Sequence, residues 1–121
     1  MKSYTDLEQS KKLAEILSLE SADMYYSWHD ERYYIVNKDC PYPYSLKGKI
    51  HCWSLAALTS IIPQELFGGE YIINITEGLK HKWIISYEPS YMVSSYIDAS
   101  SDNLIDCCVE MIIKLKERNL L

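Results

Sequence analysis

Five residues outside the C-terminal helical pattern could ligate a soft metal or serve as nucleophile and base: His29, Cys40, His51, Cys52 and His81. Structural zinc sites draw ligand pairs two to four residues apart, so that one tight turn presents both to the metal. Here Cys40 stands twelve residues before Cys52, and His51 and Cys52 are neighbours whose side chains diverge. That spacing argues against a metal centre, and neither metal nor cofactor is expected. Nucleophilic catalysis would need Cys52, just before a helical pattern, with His51 or His81 as base. No Gly-x-Ser-x-Gly, His-Glu-x-x-His or Cys-x-x-Cys motif accompanies them. A buried cysteine acting as a small hydrophobe is the plainer reading. Gly68-Gly69 reads as a turn and not as a phosphate cradle, and Asp30-Glu31 as ordinary turn residues.

Aromatic composition offers a different chemistry. The chain has eleven tyrosines against one phenylalanine, so nearly every aromatic ring carries a polar tip. Tyr25, Tyr26, Tyr33, Tyr34, Tyr42 and Tyr44 fall within one short stretch, with Trp28 among them. Alternate tyrosines across a hairpin can simply pack on one another. They can also form an interface, because tyrosine and tryptophan supply large rigid contact area at low entropic cost. The candidate binding residues are Tyr25, Trp28, Tyr33, Tyr42, Tyr44 and His51. Tyr42 and Tyr44 stand out because Pro41 and Pro43 stiffen their loop.

The elements that must position these residues follow from periodicity. Thr5-Asp6-Leu7-Glu8 reads as a capping box opening a helix over residues 6–18, with Leu7, Leu13, Ala14, Ile16 and Leu17 as its apolar stripe. From residue 22 to 36 the period becomes two, which predicts a hairpin turning at His29-Asp30-Glu31; continuation of the first helix through Tyr26 is the alternative. Residues 37–50 read as loop. A second helix is expected over 53–62, docked by Trp53, Leu55, Leu58 and Ile62, capped by Ser54, and ended by Pro63. Strands over 70–76, 82–87 and 91–97, joined by short turns, make an antiparallel meander. A last helix capped by Ser101 or Asp102 runs to 119, with Leu104, Ile105, Cys108, Ile112 and Leu115 inward and Glu110 paired to Lys114. The expectation is one α+β domain over residues 1–121: three helices packed with an antiparallel sheet of three to five strands, in the order α-β-β-α-β-β-β-α.

Size and charge bound the function. A chain of 121 residues buries roughly two-thirds of the surface its unfolded form exposes, enough for a core without staples. Hydrophobic residues are 48% and charged residues 24%, which fits a globular protein. The longest nearly apolar stretch, Leu55 to Ile62, is too short to span a bilayer, and the N-terminus lacks the apolar run of a signal peptide. The four cysteines are expected to be free thiols in a cytoplasmic protein, and the Asn74-Ile75-Thr76 sequon to be idle. A net charge of −5 disfavours direct binding to nucleic acid, whose phosphates demand lysine and arginine.

Four segments carry a resemblance. Tyr4 to Leu17 (YTDLEQSKKLAEIL), Glu20 to Met24 (ESADM), Cys52 to Leu58 (CWSLAAL) and Cys108 to Leu115 (CVEMIIKL) are similar to a group of short uncharacterised proteins of gut anaerobic bacteria and their prophages or mobile elements. The resemblance implies a bacterial cytoplasmic setting and a phage-related role, and it transfers no catalytic residue. The expected function is therefore a small non-enzymatic protein that binds protein, itself or another, through residues 25–44. Two other classes stand beside it: an enzyme or metal protein centred on His51 and Cys52, and an acidic inhibitor or decoy of a nucleic-acid enzyme.

Overall fold

The first helix begins one residue later than its threonine suggests. In the computed structural model, which describes residues 2–29, 31–38, 49–89 and 95–121, with His29 by its backbone alone, α1 spans Leu7–Ile16 and is capped by Asp6. The Asp6 carboxylate accepts from the Gln9 amide at 2.8 Å, and the Asp6 amide donates to Gln9 Oε1 at 3.1 Å. Thr5 cannot take the cap because its hydroxyl is committed elsewhere. It is fully buried, accepts from the Trp53 amide at 3.1 Å, and lies 2.8 Å from Ser10 Oγ. The expected stripe is narrower too: Leu13 and Ser10 are the buried residues of α1, and Ala14 is exposed.

The period-two stretch forms a hairpin, as expected, of β1 (Met24–His29) and β2 (Arg32–Asn37). Between α1 and β1 stands a single 3-10 turn, Leu19–Ser21, so the helix does not continue. Between the stretch read as loop, 37–50, and the second helix, residues Ile50–Cys52 form an unexpected strand β3, which pairs with β1 on its other side. His51 and Cys52 therefore belong to a strand. Helix α2 follows at Leu55–Ile61, with Ser54 Oγ accepting from the Ala57 amide at 3.2 Å.

Strands β4 (Glu65–Leu66), β5 (Tyr71–Glu77), β6 (Trp83–Pro89) and β7 (Ile97–Ser101) pair antiparallel in chain order as a second sheet. Of the expected third strand of the meander, 91–97, Tyr91 to Ser94 lie outside the described residues, Ser95 and Tyr96 are not strand, and β7 runs from Ile97 on to Ser101. In β7 only Ile97 and Ala99 face the core, while Asp98 and Ser100 face out. Helix α3 is Leu104–Glu117, capped by Asn103, whose Oδ1 accepts from the Asp106 amide at 2.9 Å. The α+β class holds. The described strands, however, divide into sheets of three (β2-β1-β3) and four (β4-β5-β6-β7) where one sheet was expected.

One core joins these parts. Helix α3 packs on β6 and β7 and also on α1 and α2, so its buried stripe is wide: Ile105, Cys107, Cys108, Val109, Met111, Ile112 and Leu115. Trp53, Leu13, Leu58, Ile85 and Tyr87 complete the interior. The expected Glu110–Lys114 pair is present at 3.2 Å. No helix among the described residues is long and apolar enough to cross a membrane.

A polar clasp ties the N-terminal segment to α3. Lys2 Nζ lies 2.7 Å from Asp106 and 3.0 Å from Asp6, and Asp106 also accepts from Gln9 Nε2 and Asn103 Nδ2, each at 2.6 Å. Burial alone would raise the Asp106 carboxyl, but the hydrogen bonds from Lys2, Gln9 and Asn103 outweigh it and hold the group below the usual carboxylate range. Asp6 is lowered in the same way: against burial stand the Gln9 amide and Lys2. A carboxyl depressed in the folded state stabilises the fold above its unfolded pKa, and that contribution is lost as pH falls through the folded one. The urea midpoint is therefore expected to fall below about pH 4. In Asp106→Asn the drop should be smaller; an identical pH profile would show that the clasp contributes nothing.

Candidate interaction surface

Register assigns each side chain of the three-stranded sheet to a face, because directly opposed residues share one. Met24 is opposed to Asn37 and Cys52, Tyr26 to Ile35 and Ile50, and Trp28 to Tyr33. The other face carries Tyr25 opposite Val36 and His51, and Ser27 opposite Tyr34.

On the Tyr26 face the rings form a ladder. Tyr4 meets Tyr26 edge-on with centroids 6.2 Å apart, Tyr26 meets Tyr33 at 6.1 Å, and Tyr33 meets Trp28 at 4.8 Å. Such edge-to-face pairs contribute about 0.5–1.5 kcal/mol each beyond their buried area. The Tyr26 hydroxyl donates to the Thr5 carbonyl at 2.7 Å, which fixes the centre of the ladder against the N-terminal segment. Burial pushes that phenol up to about 12, so it stays a donor. The ends remain open: Trp28 is 45% exposed and Tyr4 36%.

No family model, curated protein or solved structure matches the chain.

Of the six residues singled out from sequence, Trp28 and Tyr33 are brought into contact. Tyr25 and His51 form a cross-strand pair on the opposite face. Tyr25 is only 6% exposed, with the Lys49 ammonium 4.3 Å from its ring centre, so it presents little surface. Tyr42 and Tyr44 lie outside the described residues, as do Cys40 and the His29 side chain. Two ladder members were missed. Tyr26 had a signal, alternation with Trp28 in the same strand. Tyr4 had none, because its partner is brought to it by tertiary contacts, the Tyr4–Ser54 bridge and the Tyr26–Thr5 hydrogen bond.

The chemistry of the thiols and imidazoles is also placed. His51 and Cys52 are successive strand residues and point to opposite faces. The His51 imidazole is lowered by burial and by the charges of Lys49 and Lys38, which leaves it neutral near pH 7. Burial, with Asp23 nearby, pushes the Cys52 thiol up to about 12. Burial likewise raises Cys107 to about 11 and Cys108 to about 12. His81 stands at an exposed turn, its Nδ1 2.9 Å from Glu77 Oε1. Among the described residues no three His, Cys, Asp or Glu side chains gather as a metal site. A thiol reacts as thiolate, so Cys52, Cys107 and Cys108 should resist alkylation at pH 7.5 until the protein is unfolded. Mass mapping after a short iodoacetamide pulse checks this; rapid native labelling of Cys52 would contradict it.

Proposed function

We propose that this protein is a small non-enzymatic binding module that engages a protein partner through the Tyr4–Tyr26–Tyr33–Trp28 ladder, in the cytoplasmic, phage-related setting of the resemblance. The observation that supports the reading is the ladder itself. Its rings are held by one another and by the Tyr26–Thr5 hydrogen bond, yet Trp28 and Tyr4 remain accessible at its ends. A ring already ordered loses little entropy when a partner covers it, and buried tryptophan and tyrosine anchors dominate interface energetics. The divergence of His51 from Cys52, and the raised Cys52 thiol, weigh against the enzymatic alternative.

The test compares wild type with Trp28→Ala, using Phe67→Ala as an exposed aromatic control far along the chain. Self-association by sedimentation and partner capture from host extract are the readouts. Loss of a hot-spot tryptophan is expected to weaken the complex by at least about tenfold. Equal association and capture by folded Trp28→Ala and wild type would refute the assignment.

A further inference from the structure

We infer that the partner segment this surface accepts is cationic, with a guanidinium side chain seated where the ladder meets Asp6. The inference rests on the ladder being the binding surface, and it adds the chemistry of what binds. At the Tyr4 end of the ladder lies a cavity of ≈ 430 Å³ lined by Lys2, Ser3, Tyr4, Asp6 and Tyr26. Two aromatic rings and a carboxylate thus border one space. The Asp6 side chain is 52% exposed, so its charge is open to a ligand.

The local charge decides the sign of the ligand. Among the described residues Lys2 is the only cation lining the cavity, and its ammonium already lies between Asp6 and Asp106, at 3.0 and 2.7 Å. Among the described residues, two carboxylates and one ammonium leave a formal −1 at this end of the ladder. An anionic group entering here would compete with both carboxylates for Lys2. A cation meets an unbalanced carboxylate and the rings of Tyr4 and Tyr26, whose π-systems attract positive charge. The chain already uses this pairing on itself, with Lys49 over Tyr25 at 4.3 Å and Arg118 over Tyr96 at 5.3 Å. The overall charge of −5 adds a long-range attraction that salt should screen. Arginine suits the place better than lysine, because its planar, weakly hydrated head can lie on a ring while its N–H groups reach a carboxylate.

The experiment titrates the full chain, isotope-labelled for amide NMR, with an acetylated and amidated peptide of alternating glycine and arginine. Analogues carrying citrulline or glutamate in place of arginine complete the set. The arginine peptide is expected to shift the amides of Tyr4, Asp6, Tyr26 and Trp28 and to bind more weakly as salt rises. Asp6→Asn keeps the helix cap, since asparagine caps as well as aspartate, and should weaken binding roughly two- to fivefold. Lys2→Met should strengthen it by a similar factor. The citrulline and glutamate peptides should leave the spectrum unchanged. The inference fails if citrulline binds as well as arginine, if the charge variants leave affinity unchanged, or if no arginine-peptide shift appears at these residues. Should it fail while Trp28→Ala still abolishes partner capture, the surface stands with a partner that is not cationic. If Trp28→Ala is also without effect, the surface itself is removed.

Discussion

Replacing Trp53 with alanine is expected to lower the unfolding free energy by about 3–5 kcal/mol, the largest loss expected from any single described side chain. Trp53 is fully buried and is the largest of the fully buried side chains. It stands directly between β3 and α2, where the chain passes from the small sheet into the helical layer. Its indole Nε1 donates to Ser21 Oγ at 3.0 Å, tying it to the 3-10 turn before β1. Truncation would remove the ring and leave a cavity within the core cluster. Domains of this kind are held by only about 5–15 kcal/mol, so the variant should be poorly folded at physiological temperature. Trp53→Phe should lose roughly half as much, because most apolar volume returns and Ser21 Oγ keeps its own donation to the Ser18 carbonyl at 2.6 Å. Urea unfolding of both variants measures the difference. A loss below about 1 kcal/mol in Trp53→Ala would mean that the indole is not packed in this core.

Trp53 also shows which parts of the structure could be read from the chain. The stretch His51-Cys52-Trp53 reads as an anchor for the following helix. The structure agrees: Cys52, Trp53 and Leu58 are wholly buried, and Ser54 caps α2. Those features are local, set by spacing and cap chemistry within a few residues. The hairpin of β1 and β2 was legible for the same reason, as was part of the inward face of α3, though not its buried Cys107, Val109 and Met111. What escaped were elements defined by distant partners. Strand β3 has three residues and exists because β1 offers an open edge, and β4 has two. Strand β7 hid because Asp98 and Ser100 alternate with Ile97 and Ala99, so its composition resembles a turn. The division into two sheets depends on strand order, which alternation cannot encode. The candidate surface divides along the same line. Trp28 and Tyr33 could be named because they sit in a legible hairpin, whereas Tyr4 joins them only through tertiary contact. Tyr25 and His51 could be placed on the opposite face only once the register was known.

The capping box is the sharpest instance, and it leads to the second large effect. Thr5 matches the sequence signature of an N-cap, yet the structure uses it as a buried pin between two segments far apart in the chain. Its amide donates to the Trp53 carbonyl at 2.9 Å, and its hydroxyl accepts from the Trp53 amide and pairs with Ser10. Thr5→Val keeps the shape and removes the hydroxyl, leaving the Trp53 amide and the Ser10 hydroxyl without that partner in a dry place. An unsatisfied buried polar group costs about 1–3 kcal/mol, so orphaning two should cost at least about 2 kcal/mol. Thr5→Ser keeps the hydroxyl and gives up one methyl, which should cost about 1 kcal/mol. A true N-cap would behave otherwise: removing the oxygen would cost about 1 kcal/mol and would leave Trp53 untouched. Removing Ser10 as well separates the two cases. In a Ser10→Ala background Thr5→Val orphans one group and not two, so its cost should shrink by about 1 kcal/mol or more. Strict additivity of the two changes in urea unfolding, or a valine variant as stable as the serine variant, would return Thr5 to an ordinary helix cap.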